Sequence, residues 1–334
     1  MNPIRSDLHI DTYLSNLSIA YMNQPSDYVA DIAFPVVRTN KQSDKYAVYN
    51  KYDWFRDEAL PRAPLTTSTG GGYTLETPGT FYCDEWAFHK VIADEDLSDA
   101  DEVFDLEDEA VDYVVEKLKI GRERRWATAY FQTNVWTTDL EGKTVTPSTN
   151  EFTCWDESGS TPIEDIEDAK ATVKGLTGLV PNTLIVSLKV HQQLKNHSDV
   201  VDRYKYTQAG IITPQLLAKV FEIDRYLIGS ALYSSIPEET DDLNFILGEN
   251  DALLVYAAPR PTKRRPSGGY TFRWKRPTRR GRNDVSLEST IRRWYDKSIR
   301  GTYIEGSIYE DIKLVAADCG VFFHNAVALG ETIS

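Results

Sequence analysis

The stretch from about Val103 to Trp136 limits what this 334-residue chain can become. Val111, Val114, Val115 and Leu118 stand at i, i+3, i+4 and i+7, one apolar stripe at helical period. Trp126, Ala129, Tyr130 and Thr133 carry the pattern past Gly121. The first half is acidic (Asp105, Glu107, Asp108, Glu109, Asp112) and the second basic (Lys117, Lys119, Arg122, Arg124, Arg125), the order a helix macrodipole favours. About 30 residues at ~1.5 Å each make a rod of roughly 45 Å. No apolar run nearby is long enough to wrap such a rod. The spacing therefore predicts a backbone helix with one face on its own domain and other faces open to strands or neighbours. An ordinary long helix inside a compact enzyme is the alternative at this point.

Composition narrows the function classes. The net charge of −14 argues against a sequence-wide nucleic-acid binder and against adhesion to anionic membranes. The charge is uneven: Asp84–Asp112 holds thirteen acids and one base, Lys90, whereas Arg260–Arg300 holds fourteen Lys or Arg and three acids. Cys83, Cys154 and Cys319 are far apart and fit free thiols better than a disulfide framework. The start lacks the order of a signal peptide, and no run approaches the ~18 apolar residues of a membrane span.

Taken in order, residues 1–30 read as an arm whose apolar residues (Leu8, Ile10, Leu14, Leu17, Ile19) are too interrupted to make a core. Phe34-Pro35-Val36-Val37 is extended, because Pro35 disfavours helix at Phe34. Residues 41–92 read as a long two-stranded excursion. Lys45–Tyr49 and Gly72–Leu75 are its first strands, Thr80–Phe88 follows, and Pro61, Pro64 and Gly70-Gly71-Gly72 mark the tip. An isolated two-stranded ribbon is marginal in water, so this one needs something to lie on. Residues 137–160 read as a loop with short strands. A second helix opens at Thr161 as N-cap with Pro162 at N1 and stops at Lys174-Gly175. Residues 179–255 read as a separate α/β lobe. Strands then return at Tyr270–Trp274, Ser289–Tyr295, Ser307–Val315 and Val321–Val327, where they could pair beside the long helix.

The residues that carry enzyme chemistry are poorly grouped. His191 and His197 are six apart, off a common helical face, and no HExxH, GxSxG or Rossmann fingerprint occurs. The triple glycine is not a P-loop, since no Gly-Lys-Ser/Thr follows it. The acids from Asp94 to Asp101 lack the glycine and terminal Glu of a calcium loop. No catalytic, cofactor-binding or metal-ligating residue is expected. The side chains expected to act are interface-type: Trp54, Phe55 and Arg56, with Arg279 and Arg280 in the basic segment. The basic segment is expected to face the acidic stretch of a neighbour; packaged DNA and a solvated loop are the other readings.

Several stretches carry a family resemblance: Ala30-Asp31-Ile32-Ala33-Phe34-Pro35-Val36-Val37; Lys45-Tyr46, then Asp53-Trp54-Phe55-Arg56-Asp57-Glu58-Ala59, Arg62-Ala63-Pro64 and Gly70-Gly71-Gly72-Tyr73; Pro181-Asn182-Thr183-Leu184 leading into His191–His197; and Asp311-Ile312-Lys313-Leu314-Val315-Ala316-Ala317-Asp318-Cys319-Gly320. In their order they resemble the HK97-fold major capsid proteins of tailed double-stranded DNA bacteriophages, across nearly the whole chain. The resemblance implies an α+β, HK97-like capsid fold. Residues 1–40 would be the N-arm, 41–92 an extended β-hairpin E-loop, and 93–178 a P-domain with a spine helix at about 103–136. Residues 179–258 would be an inserted α/β A-domain, and 259–334 a basic segment and returning P-domain strands. It implies self-assembly as hexamers and pentamers into an icosahedral virion shell around double-stranded DNA, bound non-specifically, built in the bacterial cytoplasm without membrane or cofactor. Implied partners are a separate scaffolding protein, a portal and, as a further candidate, a decoration protein. The rivals are an encapsulin-like shell and a soluble cytoplasmic α/β enzyme.

Overall fold

The computed structural model describes residues 22–76, 78–99, 106–204, 212–235, 243–261, 266–275 and 290–328. After a 3-10 turn at Pro25–Asp27 come α1 (Ala30–Ala33), β1 (Val36–Thr39), β2 (Ser43–Tyr46), α2 (Lys51–Trp54), β3 (Gly79–Tyr82), β4 (Asp84–Ala93), α3 (Asp94–Asp99) and α4 (Leu106–Tyr130). The middle of the chain forms β5 (Thr138–Lys143), β6 (Glu151–Thr153), α5 (Pro162–Thr177), β7 (Thr183–Ser187), α6 (Leu188–Asn196), α7 (Ser198–Tyr204), α8 (Pro214–Val220), β8 (Arg225–Gly229), β9 (Leu232–Ser234), β10 (Leu243–Phe245) and β11 (Ala252–Val255). The last elements are β12 (Gly269–Trp274), β13 (Thr290–Asp296), β14 (Gly301–Leu314) and β15 (Gly320–His324).

α4 is the expected long helix, at 25 residues a rod of about 37 Å. It ends at Tyr130 rather than Trp136. Asn134 takes a left-handed φ of 64°, which breaks the helix. Trp136 then folds back, and its Nε1 donates to the Tyr130 carbonyl at 2.7 Å. The most deeply buried positions of the first half are Leu106, Ala110 and Val114, and Val111 packs beside them.

β14 is the axis of a five-stranded sheet. It pairs antiparallel with β4 on one side (Gly301↔Ala93 to Glu310↔Asp84). On the other side it pairs with β13 (Asp296↔Gly301 to Thr290↔Ser307) and then β12 (Arg273↔Glu310 to Gly269↔Leu314). β1 runs parallel to β12. α4 lies across one face at Gly306, where a Cβ would come within 2.7 Å of Val114 Cγ1 and 2.8 Å of Leu118 Cδ1. The missing side chain lets the helix sit against the strand.

The second sheet has the order β6-β5-β15-β11-β7-β8. Both faces are covered, and β7 and β11 are buried throughout. Alternation sorts the side chains. Leu184, Val186, Leu254, Val321 and Phe323 face a layer that includes Ile163 and Ile166 of α5, Val190 and Leu194 of α6 and Leu217 of α8. Ile185, Leu253, Val255 and Phe322 face Trp126 and Tyr130 of α4 and Phe34. The second half of α4 therefore belongs to this sheet as much as to the first.

Several details differ from expectation. β15 lies beside the second half of α4 but in a different sheet from the other returning strands, between β11 and β5. Val321-Phe322-Phe323 is apolar on both faces, and the six-stranded sheet covers both. β5 and β6, expected as loop strands, extend the same sheet. α5 also runs past Gly175 to Thr177, where Gly178 at φ 74° closes it through an N–H to the Lys174 carbonyl, and the Thr161 side chain makes no cap bond.

The excursion is paired only at its root. β2 and β3 form a short antiparallel ladder, Ser43↔Tyr82 to Tyr46↔Gly79. Phe81 stacks on Phe272 of the five-stranded sheet, with centroids 4.3 Å apart and rings 4° from parallel. Beyond it, the described residues of 47–78 hold a single bridge, Tyr49↔Leu75, and the one turn of α2. The expected strand over Gly72–Leu75 shrinks to that bridge.

Gly306→Val should destabilise the subunit by about 1–3 kcal/mol, the usual cost of overpacking, because both Val114 and Leu118 must move. Denaturant unfolding of the unassembled subunit, followed by tryptophan fluorescence, checks this.

Candidate functional site

A Ser-His-Asp arrangement has to be weighed before any surface. Ser160 Oγ lies 3.0 Å from His197 Nε2, and Asp199 Oδ2 lies 3.9 Å from His197 Nδ1. The backbone N–H of Asp199 donates to Nδ1 at 3.2 Å. Nε2 therefore carries the proton and donates to Ser160 Oγ, and that hydroxyl donates onward to the Glu157 carbonyl at 2.8 Å. A general base needs the opposite tautomer. Ser160 and His197 are buried, and burial pushes the His197 pKa down. The group satisfies buried polar atoms and is not a nucleophile. Burial likewise raises the thiols, Cys83 to about 11 and Cys319 to about 12, away from reactive thiolate. Among the described residues no cluster of three His, Cys, Asp or Glu could hold a metal ion, and no helix is long and apolar enough to cross a membrane.

The surfaces carry more. On the excursion, Asn50 Oδ1 accepts the Tyr52 N–H at 2.9 Å and starts α2. Asp53 accepts the Thr74 N–H at 2.8 Å and its hydroxyl at 2.6 Å, tying the two legs together. Those bonds hold the Asp53 carboxyl below the usual carboxylate range. α2 thereby projects Trp54, Phe55 and Arg56 at one place. Trp54 stacks on Tyr73 (5.9 Å) with Tyr49 edge-on (6.2 Å). Phe55 rests on Gly178 at the end of α5, and Lys51 pairs with Asp318. Even so, Trp54 and Phe55 remain 63% and 67% exposed, and Tyr52, Leu60, Leu65 and Tyr73 are as open. Arg56 is already engaged by Asp53 and Glu58, each at 3.1 Å.

An open groove of about 570 Å³ runs between α4 and β4, with Trp86, Phe88, Leu118 and Ala129 as apolar walls and Lys117 and Arg124 at the rim. The acidic and basic stretches meet within one chain: Arg293 pairs with Glu107, and the Tyr295 hydroxyl donates to Asp94 at 2.6 Å. β13 and β4 flank β14, and α3 and α4 lie against that sheet, a proximity that linear sequence hides. Arg279 and Arg280 lie outside the described residues.

The root of the arm holds the most deeply buried charges. Glu123 of α4, fully buried, accepts the N–H groups of Val29 and Ala30, each at 2.9 Å, at the start of α1. Arg225 of β8 donates to the Ile32 and Ala33 carbonyls at its end. Beside it, Asp31 bonds Arg122 and, at 2.9 Å, Arg273. Glu310 sits among Arg125 (2.6 Å), Arg122 (3.1 Å) and Arg273 (3.4 Å), with the Arg125 guanidinium 3.9 Å over Trp86. Sequence reading missed Glu123 and Arg225. For Glu123 a signal existed: it falls in the apolar register of Trp126 and Tyr130, at i+3 and i+7.

Comparison with known proteins gives this assembly its context. The family model for phage major capsid protein E matches residues 144–262. A major capsid protein of Burkholderia phage BcepMu is 28% identical over 278 residues, 80% of this chain and 84% of the relative. By both matches the chain is similar to phage major capsid proteins. Its fold is the HK97 fold. A phage-related protein from Bordetella bronchiseptica RB50 matches with TM-score 0.67 at 21% identity, over 92% of this chain and 95% of that one. The capsid structure of cyanophage P-SCSP1u matches with TM-score 0.58 at 12% identity, over 96% and 93%. The SrpI encapsulin of Synechococcus elongatus PCC 7942 shares the fold, with TM-score 0.54 at 10% identity, over 96% and 97%.

Glu310→Ala should cost the subunit about 3–5 kcal/mol, because three arginines lose a buried counter-charge. Chemical denaturation of the unassembled subunit measures it.

Proposed function

We propose that the chain is a phage major capsid protein that self-assembles, as hexamers and pentamers, into an icosahedral head around double-stranded DNA. Residues 1–40 act as N-arm and 41–92 as E-loop. Residues 93–178 and the strands of 259–334 act as P-domain around α4, and 179–258 as A-domain, whose sheet also takes in β5, β6 and β15. The observation that carries the reading is the excursion. A segment of some thirty residues with one bridge and a crown of exposed aromatics has too little of its own chain to bury against. Lying across a neighbouring copy buries it, and repetition of such a heterologous contact closes a shell. The groove between α4 and β4 has the apolar walls to take part in that contact. A separate scaffolding protein, a portal, a decoration protein and assembly in the bacterial cytoplasm follow from the resemblance to tailed-phage capsids. An encapsulin-like shell shares the fold; the sequence likeness to a phage major capsid protein favours the phage head.

Trp54→Ala with Phe55→Ala should leave subunit stability within about 1 kcal/mol, since exposed side chains contribute little, while cutting particle yield severely. Size-exclusion chromatography with negative-stain microscopy tests this, with the candidate scaffold added where the protein alone stays unassembled. Normal shells from the double variant would contradict the assigned contact. Reversing Arg279 and Arg280 to Glu should slow or block assembly without unfolding the subunit, and the same assay reads it at several salt concentrations. Particles isolated from infected cells should contain DNA; protein cargo without DNA would favour the encapsulin reading.

A further inference from the structure

We propose that Glu123 is a proton-sensitive clasp: its carboxyl group holds the single turn α1, and with it the root of the N-terminal arm, between α4 and the six-stranded sheet. The first support is geometric. A four-residue helix does not persist alone, because nucleation is unfavourable. α1 is held at both ends by distant residues instead. Glu123 accepts from the Val29 and Ala30 N–H groups at the dipole's positive end, and Arg225 donates to the Ile32 and Ala33 carbonyls at the other. The polypeptide just before α1 is tied to α4 and to the segment that follows β8. Asn23 bonds Glu116 of α4 and the Leu232 carbonyl of β9, the Tyr28 hydroxyl donates to Glu116, and Asp27 accepts from the Ser230 hydroxyl at 2.9 Å. Opening the clasp would release α1 and the segment from Asn23 that leads into it.

The surroundings of Glu123 decide its response to pH. From α1, Asp31 opposes its charge; on its own helix, Arg122 favours it. Tyr28 faces it from the arm, with Glu116 and Lys119 of α4 around that ring. Arg273 and Glu310 of the five-stranded sheet lie behind Asp31 and Arg122, and Arg225 stands at the far end of the turn. Burial dominates over the two N–H bonds and Arg122 and pushes the Glu123 carboxyl up to about 7. The protonated carboxyl still presents its carbonyl oxygen to one N–H and a hydroxyl lone pair to the other. In the open state the group is solvated and ionises in the ordinary carboxylate range, near 4.5. Between these values the closed state binds more protons, so closure is fully favoured at low pH and is lost as pH rises through about 7. A displacement of that size changes the closed-to-open ratio by roughly a hundredfold between pH 5 and 8. Release at neutral or alkaline pH would free the root of the arm, from Asn23 to Phe34, for a neighbouring copy, a consequence that rests on the capsid reading. The clasp itself does not.

Hydrogen exchange of residues 28–34 in the unassembled subunit, corrected for the intrinsic pH dependence of exchange, tests the clasp. Protection in the natural protein should fall roughly a hundredfold from pH 5 to 8, while β7 and β11 amides stay protected throughout. Glu123→Gln should abolish the slope. Arg225→Gln should lower protection at every pH and keep the slope, which holds the test open where Glu123→Gln does not fold. A flat profile in the natural protein, the same slope in Glu123→Gln, or loss of the slope in Arg225→Gln would overturn the clasp. A failure to form shells would overturn the capsid reading and leave these exchange results untouched.

Discussion

One helix packed against two sheets is the constraint on which the other elements depend. The first half of α4 rests on β14 through Gly306 and the small core of Ile92, Leu106, Ala110 and Ile304. Its second half puts Trp126 and Tyr130, both fully buried, against Leu253, Val255 and Phe322 of the other sheet. Aromatic side chains of this size bury ~150–250 Å² each, which at ~25 cal/mol per Å² is roughly 4–6 kcal/mol per residue. The Tyr130 hydroxyl also donates to the Lys313 carbonyl of β14 at 2.8 Å, so a single residue contacts both sheets. The relation between the two sheets is set by this shared rod.

Charges then fill the seam that the apolar contacts leave. Asp31 and Glu310 sit among Arg122, Arg125 and Arg273, drawn from α1, β14, α4 and β12. Three cations and two anions from four elements fix register more than they add stability, since buried ion pairs roughly offset their own desolvation. The arm root and the long helix are therefore specified together. α1 adds a proton-linked contact to the same seam.

Much of this architecture was legible in the sequence. Helical period exposed α4, and the apolar returning runs Tyr270–Trp274 and Ser307–Val315 marked β12 and β14. The resemblance in the order of elements gave the fold class. What escaped had physical reasons. The Val321–Val327 run is equally apolar wherever it pairs, so only tertiary contacts place β15 beside β11. The pairing of Arg293 with Glu107 joins residues 186 apart, and an expectation of charge pairing between neighbours could not anticipate that a shared sheet brings them together. Among the site residues, Trp54 and Phe55 stood out as aromatics among charges and are exposed as that pattern suggested. The helical turn that displays them was hidden, because Asn50 and Asp53 organise it through local side-chain bonds rather than periodicity.

The account treats residues 47–78 as a part completed by another copy of the chain. A cryo-electron microscopy map of assembled particles tests that most directly. The account predicts this segment extended over an adjacent subunit, with Trp54 and Phe55 buried at the contact. Density showing it folded back on its own subunit, with both rings still open to solvent in the finished shell, would contradict it.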